Sequence, residues 1–304
     1  MVSLKHPKSK TITESKSNTI RHITSQKLSD TYSRMSGDND EKAVEIYIYR
    51  GDDEDEQVPP STEKLIVHEG LKMVPAFSGL IVDTAWAPCA CENLLEICIP
   101  SSVEFIMENA FQRCQKLAKV EFSSIIAEEA FGLGSFLKKR LLQQKSVCAG
   151  EPHRLRAIYD GAFSSCHELF EIRLPSSLAY IGHGAFDHCH SLIDMDLSTT
   201  RVTGILCKTF WNCHSLQTVS LPNTVHTIGQ SAFLDCSDLV RVAVPLDSKA
   251  ISIEARSFRN CSRLAILKLP KYSTAEDNSF KGCKLLRKRY GKNTSGILAG
   301  LVTL

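Results

Sequence analysis

Residues 169–192 read LFEIRLPSSLAYIGHGAFDHCHSL. Leu169, Ile172, Leu174, Leu178, Ile181 and Phe186 are the periodic apolar residues, and 172–174 alternates apolar and polar, the mark of a short strand with one buried face. Pro175 ends that strand, because proline lacks the N–H that a ladder needs and holds φ fixed. The remainder, with Gly182 and the pair Ala185-Phe186, returns the chain to the start of the next strand. A unit this short cannot bury its own apolar face, so it predicts stacked neighbours.

Those neighbours are present in the chain. An aromatic followed three residues later by Cys recurs at Phe111/Cys114, Phe163/Cys166, Phe186/Cys189, Phe210/Cys213, Phe233/Cys236, Phe258/Cys261 and Phe280/Cys283. From Cys166 onward the steps between cysteines are 23, 24, 23, 25 and 22 residues, and an earlier copy at Cys91 has Trp86 near the place of the Phe. Pro100, Pro222, Pro245 and Pro270 repeat the role of Pro175. The expected fold is a repeat solenoid of coils about 23 residues long. Each coil would carry one short strand, paired in parallel with the next at about 4.8 Å spacing, the rest being turns and short helical segments.

The unit LxxIxLPSSLxxIGxxAFxxCxxL resembles the BspA-like class of leucine-rich repeats, over residues 91–285. That resemblance implies a leucine-rich-repeat stack used as a binding surface. No catalytic or cofactor residue belongs to the motif, so none is carried over. The chain departs from the pattern after Phe131, where Cys is absent and residues 132–154 replace the usual strand region. Within them SFLKKRLLQQK predicts a short basic amphipathic helix leaving the stack.

Composition divides the rest. Thirteen Ser or Thr, seven Lys or Arg and two acids fill the first 36 residues, so 1–43 is expected to be a disordered tail, with an organelle transit peptide as the alternative. Residues 44–90 read as an amino-terminal strand, VEIYIYR, then an acidic linker at 52–56 and a capping region. The solenoid is expected over 91–290 and a tail over 291–304. A net charge of +2 singles out no partner, and no apolar run reaches the roughly 20 residues of a bilayer span. Twelve cysteines with no secretory signal predict an intracellular protein, cytoplasmic or nuclear, with reduced thiols.

The dipeptides Cys166-His167, Cys189-His190 and Cys213-His214 raise the question of a metal site. Eight of the twelve cysteines occupy one repeat position, while the following residue varies, so the sulfur reads as core and the His as an exposed turn residue. Stacking would align His167, His190 and His214 in a column close enough for imidazoles to share a transition metal. No carboxylate accompanies them in the period, and no GxSxG, P-loop or GxGxxG is present. The expectation is therefore no cofactor and no catalysis.

What remains is surface. The outward strand pairs are Glu96/Cys98, Lys119/Glu121, Glu171/Arg173, Asp194/Asp196, Thr218/Ser220, Arg241/Ala243, Ile266/Lys268 and Arg287/Arg289. The first four pairs hold five acids and two bases; the last four hold four bases and no acid. Such sorting suits a monomeric, non-catalytic scaffold that orients a protein partner. Two alternatives stand beside it: an adhesin-like surface protein, and contact with nucleic acid or an anionic surface through Lys281, Lys284, Arg287, Lys288, Arg289 and Lys292.

Overall fold

A computed structural model describes residues 46–49, 58, 61–67, 71–75, 91–123, 153–245, 247–291 and 293–302. The expected tail at 1–43, the acidic linker at 52–56, Trp86 and the basic helix within 132–152 lie outside the described residues.

The chain winds as the repeat predicts, with all strand pairs parallel and in register. The first ladder begins with β1 (Ile46–Tyr49) and β2 (Lys64–Val67). The second ladder begins with β3 (Met73–Val74), and the first continues through β4 (Glu96–Pro100). β5 (Phe105–Ile106), β6 (Lys119–Ser123), β7 (Ala157–Ile158), β8 (Glu171–Ile172) and β9 (Tyr180–Ile181) then alternate between the two. β10 (Asp194–Asp196), β12 (Thr218–Ser220), β14 (Arg241–Ala243) and β16 (Ile266–Leu267) carry the first ladder on as a separate sheet. β11 (Gly204–Ile205), β13 (Thr227–Ile228), β15 (Ser252–Ile253) and β17 (Thr274–Ala275) do the same for the second.

Each full coil thus contributes two strands where the sequence pattern predicts one. The second is only two residues long, as in Tyr180-Ile181, and its single buried side chain gives no alternation to read.

Between the ladders lies one continuous core. Phe111, Phe163, Phe186, Phe210, Phe233, Phe258 and Phe280 are fully buried and stacked, with ring centroids 5.2 to 5.8 Å apart. Phe111 rests directly on Phe163 at 5.3 Å, so these two copies are adjacent in the column; Phe131 lies outside the described residues. Residues 124–152 join two coils that are already in contact, β6 pairing with β8 and β5 with β7.

The turn that presents each Phe places the residues two before and two after it at positive φ, in all seven copies. Some are Gly or Asn, which tolerate that region, but Lys208 (φ 59°) and Arg256 (φ 59°) have no such freedom and are strained by about 1–2 kcal/mol each. Core burial and the amide bonds between turns offset that strain, as where Phe210 N–H donates to Ala232 O at 2.8 Å. Gly182 answers a different demand: a Cβ there would stand 2.5 Å from Asp160 N in the preceding coil.

At the carboxyl end the pattern changes. α1 (Lys284–Tyr290) takes the place of a strand, and α2 (Thr294–Leu301) follows, its amino end capped by Asn293 accepting from Gly296 N–H. Ile297 and Leu301 are buried, Leu269 N–H donates to Leu301 O at 2.9 Å, and Val302 bridges Leu269. The segment expected as a tail is therefore a cap that covers the last coil and part of its open edge. The expected strand pair Arg287/Arg289 lies on α1, where helix-forming residues carry a single buried anchor, Leu286.

A deletion inside the ring column should be costly. Phe210→Ala is expected to lower stability by about 3–5 kcal/mol, whereas Phe170→Ala, on the surface, should change it by about 0.5 kcal/mol or less; urea midpoints compare the two.

Candidate functional site

Two clusters of functional interest emerge on different faces of the stack. The first is the column of Cys-His dipeptides. Within each dipeptide the side chains part company as expected: Cys166, Cys189 and Cys213 are buried, while the histidines reach the surface. Each thiol donates to the carbonyl of the repeat Phe one coil earlier: Cys189 to Phe163 O at 3.3 Å, Cys213 to Phe186 O at 3.0 Å, Cys236 to Phe210 O at 3.0 Å. The same carbonyl also accepts the N–H of its own coil's Cys, as Phe163 O does from Cys166 at 3.3 Å. Burial pushes the thiols of Cys189, Cys213, Cys236 and Cys261 well above their ordinary value and that of Cys283 up to about 12. They are poor nucleophiles and poor ligands. Cys207 is not in this column and is only partly buried. Among the described cysteines it should therefore react first with a maleimide, with the ladder thiols following only on unfolding; peptide mass spectrometry at short times reads the order.

His167, His190 and His214 stand together, as their spacing predicts. The rings of His167 and His190 lie 4.6 Å apart and 11° from parallel, those of His190 and His214 5.3 Å and 24°. Parallel rings carry their in-plane nitrogen lone pairs side by side, not toward a common point. Among the described residues no group of three His, Cys, Asp or Glu side chains is placed to hold a metal ion. Two neighbours were not legible in the repeat: His188 sets its edge on both His190 and Trp211, and Asp187 lies 3.6 Å from His188 Nδ1. His190 Nε2, Trp211 Nε1 and Asp187 Oδ1 are buried and have no hydrogen-bond partner among the described residues.

Burial, then the facing rings of His167, His214 and His188, pulls His190 below the usual imidazole value; burial and His188 do the same to His167. The folded protein thus binds these protons more weakly than the unfolded chain does. Stability should be lost as the pH falls through about 6.5, and regained above it. Wild type is expected to lose more melting temperature than His190→Gln between about pH 7.5 and about pH 5.5, as followed by circular dichroism.

The second cluster is the outer face of the first ladder. Glu171, Arg173, Asp194, Asp196, Thr218, Ser220 and Arg241 all reach the surface as expected, with Lys268 just beyond β16. Cys98 does not: it is 3 % exposed, because β4 is longer than a repeat strand and is covered on both faces. Lys64 pairs with Glu96 at 2.8 Å, Lys119 with Glu121, and Arg173 with Glu171 at 2.7 Å. Asp194 accepts from the Thr218 hydroxyl and Asp196 from Ser198 N–H. No opposite charge among the described residues lies within ion-pair distance of Asp194, Asp196, Arg241 or Lys268. Beside this face runs a column of residues just before the strands: Leu95, Phe170 and Ile193 are 38 %, 45 % and 41 % exposed, Ala118, Val240 and Ala265 continue it half-buried, and Gln217 interrupts it before β12.

Among the described residues no helix is long and apolar enough to cross a membrane. No curated protein matches this chain. Among solved structures it is similar to a leucine-rich repeat protein of T. pallidum, at 26% identity over 66% of this chain and 78% of that one, TM-score 0.49. A leucine-rich cell surface protein from Faecalibacterium prausnitzii A2-165 is similar at 21% identity over 70% and 65% of the two chains, TM-score 0.41. The family model described as BspA type leucine-rich repeat region, in six copies, matches residues 84–147, 150–252 and 242–297. With the parallel ladders and the recurring Phe and Cys columns, this match places the chain in the BspA-type leucine-rich-repeat family.

Proposed function

We propose that this protein is a non-catalytic interaction scaffold that binds a protein partner through the outer face of its first ladder. One observation carries this reading: charges with no ion-pair partner among the described residues stand on a surface edged by exposed apolar side chains. Asp194 and Asp196 lie two coils from Arg241, and Leu95, Phe170 and Ile193 line the flank. Apolar anchors beside oriented charge are what a specific interface uses, the apolar area giving affinity and the charges register and steering. The family likeness supports a binding role for the repeats. The thiol column suits a compartment that keeps cysteines reduced, since each Sγ–H is a donor within the core.

The test is affinity purification from the native cell with three versions of the full chain: wild type, Arg241→Glu/Lys268→Glu, and a control with two charge changes on the second ladder, Thr227→Glu/Thr274→Glu. Partners lost from the first variant and retained by the control support the sheet face. An unchanged set of partners at low and moderate salt overturns it.

A further inference from the structure

We infer that the same face binds a second copy of this chain, an inference that rests on the sheet face being the binding surface. The charge order is self-complementary. Consider a two-fold axis running along the strands and passing between β10 and β12. Rotation about it turns the face onto itself and reverses the order of the coils, so the acidic half of one copy meets the basic half of the other.

Residue by residue the register is favourable. Asp194 and Asp196 face Thr218 and Ser220, and Glu171 faces Arg241. Arg173 faces Ala243, Glu121 faces Lys268, and Lys119 faces Ile266. No two like charges oppose each other. In the column beside the strands Phe170 meets Val240 and Ala118 meets Ala265, while Ile193 meets Gln217, so the exposed ring of Phe170 is covered by an apolar side chain. The alternative axis, parallel to the stack, would set Asp194 on Asp196 and leave Arg241 and Lys268 against uncharged side chains, so the sorting of charge along the stack favours the axis along the strands.

Six strands at about 4.8 Å spacing make a contact about 30 Å long and one sheet wide, at the small end of specific interfaces. Association is therefore weak, concentration-dependent and weakened by salt, because its specificity is electrostatic.

Sedimentation velocity on the full chain, in a concentration series at low and high salt, tests the inference with two charge-reversed forms. Glu121→Lys/Glu171→Lys sets basic side chains opposite Arg241 and Lys268, and Arg241→Glu/Lys268→Glu sets acidic ones opposite Glu171 and Glu121. Each alone is expected to self-associate at least about tenfold more weakly than wild type. Mixed in equal amounts they are expected to form a one-to-one heterodimer, which also shows that both are folded. A wild-type chain that stays monomeric at low salt, variants that self-associate unchanged, or a mixture that fails to pair each overturns the inference. A monomeric wild type whose cellular partners still depend on Arg241 and Lys268 would remove self-association while leaving the binding face in place.

Discussion

The structure depends on a carbonyl oxygen. The backbone C=O of each repeat Phe points into the core, where an unmatched acceptor would cost about 1–3 kcal/mol. Its coil satisfies one lone pair with the N–H of its own Cys, and in every copy from Phe111 to Phe258 the next coil satisfies the other with a thiol. Cysteine suits that position because it is small, apolar enough for a dry core and able to donate weakly. The position therefore couples coils directly. A missing neighbour would leave both a ring face and a carbonyl exposed, which is why copies appear in series and why the last one is closed by α2.

Much of this was legible in the residues. Phe and Cys at fixed separation specify the core column, and the short alternation around Ile172 specifies a strand whose faces cannot be exchanged. Less local features were hidden. The two-residue strands of the second ladder are held by hydrogen bonds between coils, so nothing within Tyr180-Ile181 announces them. The left-handed turn positions are equally silent, since Lys208 and Arg256 have side chains that do not favour such a backbone; the conformation is imposed by the ring they flank. α1 stands where the repeat predicts a strand, its Lys- and Arg-rich residues keeping one buried anchor, Leu286, where a strand would alternate.

The surface divides the same way. Charges on the outer face followed from alternation, because a period of two assigns sides once the core residue is known. The apolar column at Leu95, Phe170 and Ile193 escaped notice because it precedes the strands, where alternation no longer applies. The histidine column was predicted from period alone, yet its character comes from outside the period: His188 and Trp211 each occur at one coil only, His188 lying against His190 and Trp211 backing His188. Stacked imidazoles beside an indole form a half-dry surface that disfavours charge, which is a property of packing and not of ligation.

The direct contact of Phe111 with Phe163 has an implication for how such a chain changes over time. Twenty-nine residues, 124–152, separate the two coils in sequence, yet their rings stand 5.3 Å apart, as close as the 5.4 Å between Phe163 and Phe186. The stack thus keeps its pitch across an insertion in the sequence, so growth along the axis and lengthening of the chain between coils are independent. Whole turns added or removed would alter its reach, and loops of any length would decorate it, each without disturbing the other.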